Sequence, residues 1–294
     1  MSYGDNNYAP GSKFNFPVPS WDLESLKDVD MTKLVFLGTG GGRFSTIYQI
    51  RATGGLYLMD GANMHIDPGP SAAYQMHRMK LDPAKTDAVL VSHCHPDHYT
   101  DAEVMIEGMS RGGLKRRGAL IASRSVLEGS QRHGPVISNY HRSLVERIQM
   151  AEPGGSTAID GVKVRFSGTK HSDPTGVSFS IETSAGVVSY VSDTELEESV
   201  CREHEGSRVL ILPLTRPWGA RIPNHLCTED ALEFVRQVRP EMTILTHFGA
   251  KLIHAGPERQ ASMIERGTGV RTVAAQDLMG VHLGKAIRIH RFEG

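Results

Sequence analysis

Residues 91–98 read Val-Ser-His-Cys-His-Pro-Asp-His, and no other stretch limits the possible architecture of this chain so tightly. Three imidazoles and a carboxylate, at His93, His95, Asp97 and His98, fall directly after the apolar run Ala88-Val89-Leu90-Val91. A strand sends successive side chains to opposite sides, so His93 and His95 leave its end on one side and are able to share a metal ion. Asp97 and His98 lie past the turn and are placed to serve a second ion. Neutral imidazole and carboxylate suit zinc, manganese or iron, and two such ions about 3.5–4 Å apart activate a water while holding substrate oxygens. The bland alternative is a surface loop with scattered histidines, and the density of the cluster behind a buried strand argues against it.

At 294 residues the chain is long enough to bury a sizeable core, as one large domain or two small ones. Its net charge is -1, so no global field draws it to nucleic acid or to a membrane. The cysteines Cys94, Cys201 and Cys227 form no CxxC pair, which argues against a disulfide framework and for a reducing compartment. No apolar run approaches the roughly 20 residues of a membrane span, and the first residues lack the charged-then-apolar order of a signal peptide. The expectation is a cytoplasmic protein with no membrane partner.

Residues 1–31 are rich in Gly, Asn, Pro and Ser, with Phe16 and Trp21 as large anchors, and predict an extension that drapes over the domain or stays mobile. Residues 32–294 predict a single domain. A strand over 33–37 runs into Gly38-Thr39-Gly40-Gly41-Gly42-Arg43, which fits neither nucleotide-binding glycine pattern. It reads as a tight turn near the site in preference to a phosphate cradle. A second strand over 55–60 leads to Asp67, whose carboxylate, fixed by Pro68 and Gly69, either orients a metal-bound histidine or caps the helix expected over 71–79. A helix over 102–109 is expected to pack Val104, Met105 and Met109. Residues 111–150 read as a basic insert in which Arg116, Arg117 and their neighbours outnumber Glu128 and Glu146. Such an excess beside a metal site attracts phosphates, or is simply a solvated face. Apolar patches on the same insert offer a homodimer contact.

Further on, one pattern repeats: a short strand, then one metal-binding side chain. The strand over 162–166 is followed by His171, that over 186–191 by Asp193, and that over 242–246 by His247. Each residue alone is unremarkable, and their repetition makes all three candidate ligands. His225 sits instead ahead of a helix that Thr228 can cap, so it reads either as a general acid or as a capping or surface histidine. Lys251, just past His247, is a candidate for holding a flanking phosphate.

The run His93-Cys94-His95-Pro96-Asp97-His98, preceded by Asp67 and followed by His171, Asp193 and His247, resembles the five-motif signature of the metallo-β-lactamase superfamily over about residues 33–285. That resemblance implies a four-layer αββα sandwich with mixed sheets and a two-metal site along one sheet edge. It implies His93, His95 and His171 on one ion, Asp97, His98 and His247 on the other, Asp193 between them and Asp67 in support. Phe36-Leu37-Gly38-Thr39-Gly40, Ser192-Asp193-Thr194 and Leu245-Thr246-His247-Phe248-Gly249 resemble the branch that includes tRNase Z and the phosphoribosyl cyclic phosphate phosphodiesterase. In that branch an extra histidine, which His225 resembles, assists departure of the leaving oxygen.

Departures from other branches narrow the expectation. Asp193 stands where antibiotic-cleaving members carry cysteine or histidine, and His95 where flavodiiron proteins carry glutamate. Only 21 residues separate His171 from Asp193, too few for the tRNA-gripping arm of tRNase Z, and the 53 between Asp193 and His247 are too few for the cap of the β-CASP nucleases. The resulting expectation is a hydrolase with two divalent ions, zinc first and manganese or iron as alternatives. It would attack a phosphodiester, whether RNA, cyclic phosphate or small diester, through a water shared by the ions, with Asp97 or Asp193 orienting the nucleophile. A thioester or lactone hydrolase is the rival enzyme, and a regulatory protein that binds metal without turnover is the third reading.

Overall fold

In the first strand, β1 (Thr32–Gly38), Leu34 and Phe36 face one apolar layer while Val35 and Leu37 face another, the period of two that an extended backbone imposes. The computed structural model describes residues 31–291, so nearly all of the expected N-terminal extension lies outside the described residues. Five more strands follow: β2 (Thr53–Asp60), β3 (Ala62–Ile66), β4 (Ala88–Val91), β5 (Ala119–Ser123) and β6 (Arg147–Ala151). Next come β7 (Ser156–Ile159), β8 (Val162–Gly168), β9 (Val177–Thr183), β10 (Gly186–Tyr190), β11 (Val209–Pro213), β12 (Met242–Thr246) and β13 (Arg271–Ala274). β14 (Gly280–Leu283) and β15 (Ile287–His290) close the chain.

These strands form an eight-stranded sheet in the order β15-β14-β1-β2-β3-β4-β5-β6 and a seven-stranded sheet in the order β13-β12-β11-β10-β9-β8-β7. Both are mixed. β3 through β6 run parallel in the first, β10 through β13 in the second, and the remaining neighbours are antiparallel. A core containing Leu34, Phe36, Leu90, Phe166, Phe179, Ile211 and Ile244 fills the space between the sheets. Each such side chain, fully buried, contributes about 1.5–3 kcal/mol.

The outer faces are covered by helices, of which the first five are α1 (Arg43–Tyr48), α2 (Ala72–Arg78), α3 (Pro96–Tyr99), α4 (Ala102–Met109) and α5 (Arg124–Glu128). After them come α6 (Asn139–Ser143), α7 (Glu198–Arg202), α8 (Thr228–Val238), α9 (Ala250–Ala255) and α10 (Pro257–Thr268). Met76 of α2 and Met105, Ile106 and Met109 of α4 pack on the first sheet. Phe234 and Val235 of α8 and Ile264 of α10 pack on the second. Helix, sheet, sheet and helix are thus stacked as the αββα sandwich expected from the sequence.

Three local expectations change. Val104 is 50% exposed, and Ile106 takes the inward position on α4, because 102, 105, 106 and 109 make the buried stripe. Residues 111–150 supply β5 and β6 to the first sheet, so this stretch is integral to the layer. α8 begins one residue early: Cys227 is its N-cap, paired in a capping box with Asp230, while the Thr228 hydroxyl donates to Gln260 Oε1 at 2.8 Å.

Candidate metal centre

The seven expected ligands follow one geometric rule. They stand beyond the carboxyl ends of strands, where open mixed sheets leave a crevice. His93 and His95 follow β4, with Asp97 and His98 on α3 just after, while His171 follows β8, Asp193 follows β10 and His247 follows β12. Two clusters result among the described residues: His93, His95, His171 and Asp193 in one, Asp97, His98 and His247 in the other. His225 belongs to neither.

Each imidazole has one nitrogen engaged outward or free and one turned inward. His171 Nδ1 donates to the Asn224 carbonyl at 2.8 Å, which leaves the lone pair of Nε2 for the centre. His98 Nδ1 donates to Asp67 Oδ2 at 2.9 Å, and His247 Nδ1 lies 3.1 Å from Thr215 Oγ1. His93 Nδ1 lies 3.0 Å from Ser92 Oγ. Partners of this kind fix the tautomer and the ring orientation of a metal ligand.

The inward atoms are spaced as ligands of an ion. Two nitrogens bonded at about 2.0–2.1 Å to one tetrahedral ion stand roughly 3.3 Å apart. Here His93 Nε2 is 2.9 Å and His171 Nε2 3.1 Å from His95 Nδ1. In the second cluster His247 Nε2 is 3.2 Å from both His98 Nε2 and Asp97 Oδ2. Asp193 reaches both clusters: Oδ1 lies 3.2 Å from His247 Nε2, and Oδ2 lies 3.8 Å from His171 Nε2 and from His98 Nε2. Its carboxylate is 3% exposed, yet Oδ1 has no hydrogen-bond partner, and a buried acceptor of this kind calls for a cation.

The electrostatics agree. Burial alone would raise the Asp193 carboxyl, but the imidazoles of His247, His98, His225 and His171 hold it well below the carboxylate range. Asp97 is likewise held low by His98 and His247 against its burial. Burial opposes a charge on His98, yet Asp97, Asp67 and Asp193 push its pKa up to about 10. Burial drives His93 well below its ordinary value. The centre therefore favours positive charge among its carboxylates while keeping His93 neutral, the form that binds metal. The donor set, imidazole nitrogens and carboxylate oxygens, fits divalent metal ions.

Asp67 accepts from the Ser92 amide and hydroxyl at 2.7 Å each, from the Tyr190 hydroxyl at 2.9 Å and from His98, while α2 has its N-cap at Ser71. Asp67 and His247 both have left-handed backbone, φ 51° and 58°, a strain typical of sites where position is imposed from outside. The glycine run packs directly on the centre. Gly42 N–H donates to Asp97 Oδ2 at 2.8 Å, and a Cβ on Gly41 would lie 2.2 Å from the His247 ring. His225 Nδ1 lies 3.6 Å from Asp193 Oδ2 on the cleft side, and burial lowers its pKa to about 4.

Lys251 lines the cleft above the clusters, and Arg116 and Arg117 do not. Arg116 Nε donates to the Val145 carbonyl, and Arg117 pairs with Asp87 and reaches the Thr86 carbonyl. Sequence reasoning overlooked Asp173, whose carboxylate ties the Cys94 amide at 3.1 Å to Ser125 and Thr175 and so braces the loop carrying His93 and His95. Its signal was the Asp-Pro-Thr turn two residues past His171.

Comparison with known proteins places the centre in a context. Residues 62–248 match the family model described as a beta-lactamase superfamily domain. The chain is 38% identical over 247 residues to the uncharacterized protein MJ1374 of Methanocaldococcus jannaschii, covering 83% of this chain and 92% of the relative. It is 26% identical over 227 residues to a UPF0173 metal-dependent hydrolase of Pelotomaculum thermopropionicum, covering 72% of this chain and 89% of that protein. Among solved structures, a diphosphatase from the PhnP family superposes with a TM-score of 0.64 at 19% identity, over 88% of this chain and 100% of the other.

Proposed function

This chain belongs to the beta-lactamase superfamily, and from that premise we propose that it is a metal-dependent hydrolase that cleaves phosphodiesters. The observation that carries the reading is Asp193, a buried carboxylate reaching both ligand clusters at the floor of an open cleft. Two divalent cations held there, zinc first and manganese or iron as alternatives, supply a water that ionises near pH 7 and offset charge growing on phosphate oxygens.

The residues of the chain do the rest. Asp97 and Asp193 orient the attacking water, whose oxygen forms the new bond to phosphorus while the bond to the leaving oxygen breaks. His225, on the cleft side of Asp193 and neutral because burial lowers its pKa, takes up the proton that the attacking water loses and passes it to that departing oxygen. Lys251 at the rim holds a flanking phosphate oxygen. Asp67 and Asp173 keep the ligands in register through His98 and the Cys94 amide. A tight turn at 184–185 joins β9 to β10, and a small phosphodiester suits this site better than a transfer RNA.

Cys94, Cys201 and Cys227 are free thiols, and no described helix is long and apolar enough to cross a membrane, which supports a reducing, cytoplasmic setting. The test is to offer metal-loaded protein bis-p-nitrophenyl phosphate, a lactone and a thioester. Hydrolysis of the diester alone is expected. Hydrolysis of the carbonyl substrates alone would replace this reading with an acyl hydrolase, and inactivity on all three with metal bound would indicate a binding protein.

A further inference from the structure

The cleft over the metal centre has a volume of about 1010 Å³, the size of a pocket for one small molecule. Its walls combine two chemistries. On one side α1 presents Phe44 and Ile47, three residues apart and so on one helix face, to the cleft. They are 64% and 62% exposed, unusual for large apolar side chains beside a polar centre. The wall is fastened to the site: the Gly42 amide that opens α1 is held by Asp97, and Thr46 Oγ1 donates back to the Gly42 carbonyl at 2.9 Å.

Around the same cleft stand Arg43, Arg216 and Lys251. Among the described residues no carboxylate pairs with any of them, and Arg216 Nε is buried without a hydrogen-bond partner. Arg216 follows Thr215, which contacts His247, and its amide donates to the Leu226 carbonyl, so its backbone is held at the metal-binding side of the pocket. An unpaired planar guanidinium beside an apolar wall recognises an anion that carries a flat, apolar group.

We infer that the site takes a phosphodiester of a single nucleoside, with the base on Phe44 and Ile47 and the phosphate on Arg216 beside the metal centre. This rests on the phosphodiesterase reading for the reaction but concerns a separate feature, the retained group. The anion faces His225 and the clusters, and the base lies along α1. Arg116 and Arg117 are bound elsewhere and add nothing to the basic side chains of the cleft.

The experiment compares the p-nitrophenyl ester of thymidine 5′-monophosphate with methyl p-nitrophenyl phosphate. Both lose the same p-nitrophenolate to water, so the ratio of their kcat/KM values reports only the retained group. Binding of thymidine 5′-monophosphate and of methyl phosphate to the metal-loaded protein is measured alongside. The nucleoside compound should lead by about ten-fold or more in both measurements, the scale of one base stacked on an aromatic ring. Phe44→Ala should bring both ratios near one, Arg216→Gln should weaken both ligands together, and Tyr74→Ala, an equally exposed aromatic away from the cleft, should leave the ratios unchanged. Equal rates and equal affinities in the unaltered protein, or ratios untouched by Phe44→Ala, would overturn the inference and leave the phosphodiesterase standing. A clear binding preference with neither ester hydrolysed would uphold the nucleoside site and sink the reaction instead.

Discussion

His98 Nδ1 lies 2.9 Å from Asp67 Oδ2, so a residue in left-handed backbone after β3 holds an imidazole that stands 31 positions later on α3. The contact turns His98 Nε2 toward His247 and Asp97. It makes the cluster of Asp97, His98 and His247 depend on a residue that contributes no atom to it.

Asp67→Asn is predicted to weaken metal binding at the Asp97, His98 and His247 cluster by about 10- to 100-fold, the usual cost of losing an outer carboxylate partner. Asparagine tolerates the left-handed backbone there, which keeps the comparison clean. Competition with a chelator measures the affinity. An unchanged affinity would show that His98 is oriented without Asp67.

His225→Ala is predicted to slow diester turnover by about 10²- to 10⁴-fold, the range of a lost proton donor, while the metal content stays as in the parent. Its position outside both clusters motivates the split. Parallel rate assays and metal analysis decide it: loss of metal with loss of rate would make His225 a ligand.

His204 provides a pH test far from the centre. It is buried between the Ser167 and Ser180 hydroxyls under Phe234, and burial lowers its pKa to about 4. Between that value and the ordinary 6.5 the unfolded chain binds a proton that the folded chain refuses, so stability falls as pH drops through this window. The full loss attributable to His204 is about 3 kcal/mol. Urea denaturation at pH 7 and pH 4.5 should show a smaller pH loss in His204→Gln than in the parent. Equal losses would mean that His204 is protonated in the folded protein.

The clustering of these side chains was the most legible part of the sequence, because they sit where short apolar strands end and a strand end is visible in a linear text. His171, Asp193 and His247 declared themselves through that repeated order. Long side chains with distant partners did not. Arg117 reads as free positive charge until Asp87, 30 residues away, is seen to pair with it. Val104 fits an apolar helix pattern equally well inside or outside, and only the packing of Met105, Ile106 and Met109 on the first sheet sets Ile106 inward. The four-residue strands β7, β13, β14 and β15 are too short to show a clear alternation. α1 was hidden for another reason: its large apolar residues face the cleft instead of a core.

The central claim is that side chains scattered from His93 to His247 form one site for two ions joined by Asp193. Native mass spectrometry of the metal-titrated protein tests it most directly. Two divalent ions per chain are predicted for the parent and fewer than two for Asp193→Ala at the same metal concentration. Saturation at one ion or none in the parent, or an undiminished two in the variant, would contradict it.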